Sequence, residues 1–241
     1  MIESFKASRV SQFFANKTVR EGFDLFKDIL FIIWLVIIIR SYFVLPFQIN
    51  GQSMYTSYYD KEFIIVDRFS YLNIPYIKTG EPRRWDVIVF RPHVNKEKEY
   101  YIKRVIGLGG DSVKIADGKV YVKVAWEKDF QELNEWYLSK ENQGSTYVNG
   151  QSKEVTYEVA PGKYFVMWDN RVASTDSRSC FSSCGFEGRT NFIQDKDIVG
   201  KVFVDLGYVN IKSLSFIHPD YGISTVPKWL SSPRNYNYSL K

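Results

Sequence analysis

The sequence predicts a mainly β fold with a single N-terminal transmembrane helix, followed by an outward-facing β domain that carries a β-rich insert. Three observations predict it. Aromatics make up 17% of the 241 residues, with 18 Phe and 17 Tyr against 3 Met, a bias that suits half-buried strand faces better than helical bundles. Short β-branched and aromatic runs recur between turn residues. One stretch, Ile29 to Phe47, is apolar except for Arg40. With 45% hydrophobic and 24% charged residues, the chain is neither a disordered tail nor a polytopic membrane protein. Its net charge of +5 comes from scattered Lys and Arg, so no nucleic-acid partner is expected.

Residues 1–28 form the N-terminal segment and 29–47 the anchor. A helix of that length would reach about 28 Å, close to the hydrocarbon thickness of a bilayer, which becomes a partner. Phe31 to Ile39 has no polar face, which argues against a buried core helix. No site of small residues follows the run, so the anchor is expected to stay attached rather than be cleaved. Lys6, Arg9, Lys17, Arg20 and Lys27 precede it, whereas no Lys or Arg occurs from Gln48 to Asp60. By the positive-inside rule the N-terminus is cytoplasmic and everything after Phe47 lies outside the cell membrane. Pro46 is expected to stop the helix and Arg40 to snorkel to the outer headgroups.

Beyond the membrane, 48–111 and 161–227 are assigned to the main β domain, 112–160 to the insert, and 228–241 to a loosely ordered tail rich in Ser, Asn and Pro. Strands are expected at Phe63 to Val66, Val87 to Phe90, Tyr164 to Met167 and Ile198 to Val204. Asp117-Gly118, between the arms VKIA and KVYVKV, predicts a hairpin, because a type I′ turn needs positive φ at both central residues. Asn149-Gly150 predicts a second turn. Asp129 to Gln143 is expected to be a polar, decorative helix. Cys180 and Cys184 are the only cysteines, and an outward location permits a disulfide between them. No metal or other cofactor is expected, since His93 and His218 have no ligand spacing.

The histidines also lie beside prolines in what read as loops, so neither suits a Ser-His-Asp base. Two other residues stand out: Ser53 in INGQSMYTSYYD, near the membrane exit, and Lys103 among apolar neighbours in YYIKRVIGLGGD. Four segments, FVLPFQINGQSM, RRWDVIVFRP, YYIKRVIGLGGDSV and GKYFVMWDNRVASTDSR, occur in the order of the motif boxes of bacterial type I signal peptidases, and the chain resembles that family over most of its length. The resemblance implies a membrane-bound serine endopeptidase that removes signal peptides from exported preproteins, its substrates and partners. Ser53 then aligns with the nucleophile, Lys103 with the general base, and Ser174 with the serine that orients the lysine. Asp169, Asn170 and Arg171, and Asp176, Ser177 and Arg178, align with structural motifs. Phe47, Ile49, Tyr101 and Ile102 are implied as walls of the pockets for small substrate side chains.

The chemistry behind such a pair is general. A serine hydroxyl needs a base, and a lysine is a base only when its amine is neutral, so its pKa near 10.4 has to fall. Desolvation by Tyr101, Ile102 and Val105 would lower it. The backbone N–H of Ser53 is the natural first oxyanion donor, and Gly51 leaves the second unidentified. The sequence departs from the family where Thr56 to Tyr58 replace a proline-containing stretch, and where Trp85 and Trp168 each replace the glycine of a Gly-Asp pair. Two such changes suggest UGA codons meant as glycine but read as tryptophan. The rival function is a catalytically silent, membrane-anchored β domain that binds exported chains.

Overall fold

The computed structural model describes residues 17–55, 57–92, 99–148, 154–172, 175–182 and 190–210, and the backbone at 215–218, 222–223 and 228–229. The chain divides into two units, Met1–Phe43 and Val44–Lys241. In the first, helix α1 (Lys17–Ile38) runs into a π-helical turn at Ile39–Phe43. No side chain of α1 is buried, and Phe31, Ile32, Ile33, Trp34 and Ile37 are all more than half exposed or nearly so.

The expected anchor of 29–47 is not one helix. Val44–Gln48 is strand β1, paired antiparallel with β2 (Phe63–Asp67) from Val44↔Asp67 to Gln48↔Phe63. Pro46 is tolerated there because β1 ends the strand order of its sheet, where a missing N–H costs least. The first half of α1 carries Lys17, Arg20, Glu21, Asp24, Lys27 and Asp28, which leaves about ten apolar helical residues, or about 15 Å. Among the described residues, no helix is long and apolar enough to cross a membrane.

The second unit is built on a large, mostly antiparallel sheet. After β2 come a short hairpin of β3 (Asn73–Ile74) and β4 (Ile77–Lys78), then β5 (Val87–Phe90) and β6 (Tyr101–Gly107). A smaller sheet follows, from β7 (Ser112–Ala116), β8 (Lys119–Lys123), β9 (Gln131–Glu132) and β10 (Val155–Glu158) in the order β10-β7-β8-β9. The chain returns through β11 (Lys163–Met167), β12 (Ile193–Gln194) and the long β13 (Ile198–Asn210), to which β14 (Ser215–His218) and β16 (Lys228–Trp229) pair, while β15 (Gly222–Ile223) pairs with β14. The main order is β1-β2-β13-β5-β6-β11-β12.

Strand β13 serves two neighbours. It pairs with β5 through Ile198–Lys201 and with β2 through Lys201–Gly207, with register shifts in both ladders. Such irregularities let one strand bend while both faces stay covered. Gly200 is required at that bend, because a Cβ there would come within 2.3 Å of the Asp67 carbonyl oxygen. All four residues of β5 are buried. Val87 and Val89 enter one cluster with Ile64, Val66 and Met54, while Ile88 and Phe90 enter another with Val105, Val166 and Phe181. An uninterrupted apolar run is what a strand covered on both faces needs.

The Asp117-Gly118 turn forms as expected, with φ of 51° and 74°. The helix expected at Asp129 to Gln143 does not. Its start becomes β9, which takes up the edge of β8, and the remainder is turns. The segment is no decoration: Leu133, Tyr137 and Leu138 pack with Trp85, Ile106, Phe165 and Met167. Pairing and burial here outweigh local helix preference. The expected Asn149-Gly150 turn lies outside the described residues, as does the tail beyond Trp229, whereas Lys228–Trp229 pairs with β13.

Candidate active site

Strand β1 leads into a tight turn that carries Ser53. Gly51 adopts φ 105° and its N–H donates to Asp60 Oδ1 at 2.6 Å. The turn closes with Tyr55 N–H on the Gln52 carbonyl and Ser57 N–H on the Met54 carbonyl. Met54, 1% exposed, plugs into the apolar cluster below and holds the half-buried Ser53 at the rim.

Strand β6 supplies the charge. Alternation along the strand sends Lys103 and Arg104 to opposite faces. Lys103 is 2% exposed, and its Nζ donates to the Ile102 carbonyl at 2.8 Å. The amine also lies 4.4 Å from the centre of the Trp168 ring and 5.0 Å from that of Tyr101. Burial drives its pKa from 10.5 down to about 7, against the opposing pull of Asp176 and Asp169. A large part of the population is therefore uncharged at neutral pH.

Ser53 and Lys103 line one cavity of about 740 Å³, together with Phe47, Ile49, Tyr101, Ile102 and Asn170. The sequence-derived pocket residues thus meet around the two reactive candidates. Among the described residues no hydrogen bond joins Ser53 to Lys103, whose amine is turned to the Ile102 carbonyl. The link from Ser53 runs instead to the neighbouring loop, where Asn170 N–H donates to its carbonyl at 3.0 Å.

That loop is held by buried ion pairs. Arg104 donates to both carboxylate oxygens of Asp169, at 2.9 and 2.6 Å, and to the Trp85 carbonyl at 3.0 Å. Asp176 accepts from Trp168 N–H at 3.1 Å and from the Arg178 guanidinium, and Arg178 in turn donates to the Tyr147 and Arg171 carbonyls. Burial raises the Asp176 pKa, but Arg178 outweighs it and holds the carboxyl below its usual value. Ser177 Oγ accepts from Val166 N–H at 2.9 Å. Asp169, Arg171, Asp176 and Arg178 thus form a scaffold behind the cavity, where 2% is the greatest exposure. Ser174 lies outside the described residues. Cys180 is disulfide-bonded, and Cys184, the only other cysteine, lies outside the described residues.

Sequence reasoning missed Arg104 and the partners of Arg171. Arg171 donates to Tyr137 OH at 2.8 Å and to Glu135, and its N–H meets Asn142 Oδ1 at 2.6 Å. Glu135 and Asn142 belong to the segment expected to be a surface helix. Arg104 carried a readable signal: a cation inside an apolar strand needs a buried anion. The partners of Arg171 carried none, since they meet it only through the fold.

The family description "Signal peptidase, peptidase S26" matches residues 23–206. Signal peptidase I of Pseudomonas aeruginosa is 34% identical over 197 residues, covering 71% of this chain and 68% of that protein. Signal peptidase I U of Bacillus subtilis is 37% identical over 155 residues, covering 63% and 74%. A crystal structure of a signal peptidase I from Enterococcus faecalis aligns with 51% of this chain and 97% of that one, at 26% identity and a TM-score of 0.36. Motif order, a buried lysine beside a rim serine and a match over most of the length lead to one assignment: the chain belongs to the signal peptidase family, peptidase S26.

Proposed function

We propose that the chain is a serine endopeptidase that removes N-terminal signal peptides from exported preproteins, with Ser53 as nucleophile and Lys103 as general base. The observation that carries this is a buried amine, lowered to about 7, in the same cavity as a serine at its rim. Neutral Lys103 leaves the Ile102 carbonyl and takes the Ser53 proton as the oxygen attacks the scissile carbonyl. The lysinium then gives that proton to the departing amine, and the acyl-enzyme remains. Lys103, neutral again, activates the water that releases the signal peptide. Catalytic hydrogen bonds often tighten only once substrate is bound, which accommodates the lack of one between the two groups here. Ser174 orients the amine, and Ser53 N–H stabilises the oxyanion.

The substrate lies extended along the open edge of β1 and offers small side chains to pockets walled by Phe47, Ile49, Tyr101 and Ile102. The exposed apolar surface of α1 and its π-helical turn supports residence at the cell membrane, and the Lys and Arg residues ahead of the apolar run support a cytoplasmic N-terminus. Purified full-length protein is expected to cleave a preprotein at its signal-peptide junction, and Ser53→Ala and Lys103→Ala to abolish this with the fold retained. Cleavage by Lys103→Ala at the wild-type rate would refute the dyad. Absence of cleavage of any preprotein by the wild type would favour a binding domain.

A further inference from the structure

The backbone at position 85 is in the left-handed region, with φ 76°. A bulky side chain takes that conformation only under strain, whereas glycine takes it freely. Position 85 is not a loose loop. Its N–H donates to the Val105 carbonyl at 2.8 Å, its carbonyl accepts from Arg104 at 3.0 Å, and the residue is 2% exposed. Those bonds fix the strained φ, and the second comes from the guanidinium that pairs with Asp169. The indole gains no polar partner in return: Trp85 Nε1 is buried with no acceptor among the described residues, which leaves a desolvated donor unpaid.

Position 168 repeats the unpaired indole donor, here on the wall of the cavity. Trp168 Nε1 is likewise buried without an acceptor, and the ring covers Lys103, two residues before the Asn170 N–H that holds Ser53. The indole therefore lies against the amine on the wall of the cavity they share, where it narrows the space left for an extended substrate. At 85 the backbone holds a conformation that glycine takes without strain. Tryptophan is encoded by UGG, one base from UGA, a codon that some organisms read as tryptophan and others as glycine.

We propose that residues 85 and 168 are glycine in the protein its source organism makes, both encoded by UGA, and that the native cleft is wider beside Lys103, where the indole at 168 narrows it. The widened cleft rests on the peptidase reading above; the identity of the two residues does not. The first test is the gene and the mass of the native protein's peptides. UGA at both positions with glycine masses supports the proposal, and UGG or tryptophan masses at both overturn it. The second test compares the chain as written with W85G and W168G. Truncating a well-fitted buried tryptophan lowers stability, so a raised melting temperature for W85G supports a glycine site and a lowered one counts against it. For W168G, preprotein cleavage is measured on the alkaline plateau, where Lys103 is neutral. A higher kcat/KM supports the wider cleft; an unchanged or lower one refutes that part while leaving the residue assignment to the masses.

Discussion

Replacing Lys103 by methionine separates the cost of the buried amine from its use. The fall of its pKa from 10.5 to about 7 is worth about 5 kcal/mol at about 1.4 kcal/mol per unit. The sign follows from proton counting. Between pH 7 and 10.5 the unfolded lysine holds a proton that the folded one has lost, so raising the pH across that window stabilises the folded wild type. Below pH 7 both states are protonated and the whole penalty weighs on the fold. Lys103→Met has no such group, so its stability advantage over the wild type is expected to be about 5 kcal/mol greater at pH 6 than at pH 11. Urea unfolding of both full chains in mild detergent, followed by fluorescence from pH 6 to 11, measures the difference. The variant should cleave no preprotein, and the acid limb of wild-type kcat/KM should titrate near 7. A stability difference that stays flat from pH 7 to 10.5 would refute the buried-amine argument, whatever the activity of the variant.

Arg104→Met leaves Asp169, fully buried, without its counter-charge, and should cost about 3–5 kcal/mol in denaturant unfolding. Adding Asp169→Leu should recover most of that loss, because an apolar pair carries no uncompensated charge. Asp176 is held below its usual 3.8 by Arg178, so its contribution is present above that pH and fades as pH falls through its folded value. Asp176→Asn should therefore be less stable than wild type at pH 7, with the gap closing in acid unfolding below about pH 4. Gly118→Ala places a Cβ 2.0 Å from the Gly144 carbonyl oxygen at φ 74°, and its melting temperature should fall by the equivalent of more than about 1 kcal/mol.

Strand β5 was legible because Val87 to Phe90 is an uninterrupted β-branched and aromatic run, and the β7–β8 hairpin because Asp-Gly meets the backbone demand of its turn locally. The placing of Ser53 and Lys103 on one cavity was legible through short motifs whose order follows the chain. The anchor was misjudged at its end: apolar composition continues through Phe47, but β2 is available to pair with Val44–Gln48, and that pairing lies outside any local window. The segment at 129–143 was misjudged for the same reason. Its polar residues suggested solvent, yet Glu135 and Asn142 face Arg171, about thirty residues away in the chain.

From the sequence alone came the β character, the candidate pair Ser53 and Lys103 and the Asp117-Gly118 turn, because each depends on neighbours a few residues apart or on a motif that travels intact. Only the tertiary structure decided that Lys103 is dry, that Arg104 and Asp169 form the wall behind it, and that position 85 demands positive φ. Burial, buried charge pairing and a dihedral fixed by distant hydrogen bonds are properties of strands brought together from far apart in the chain, and no residue carries them by itself.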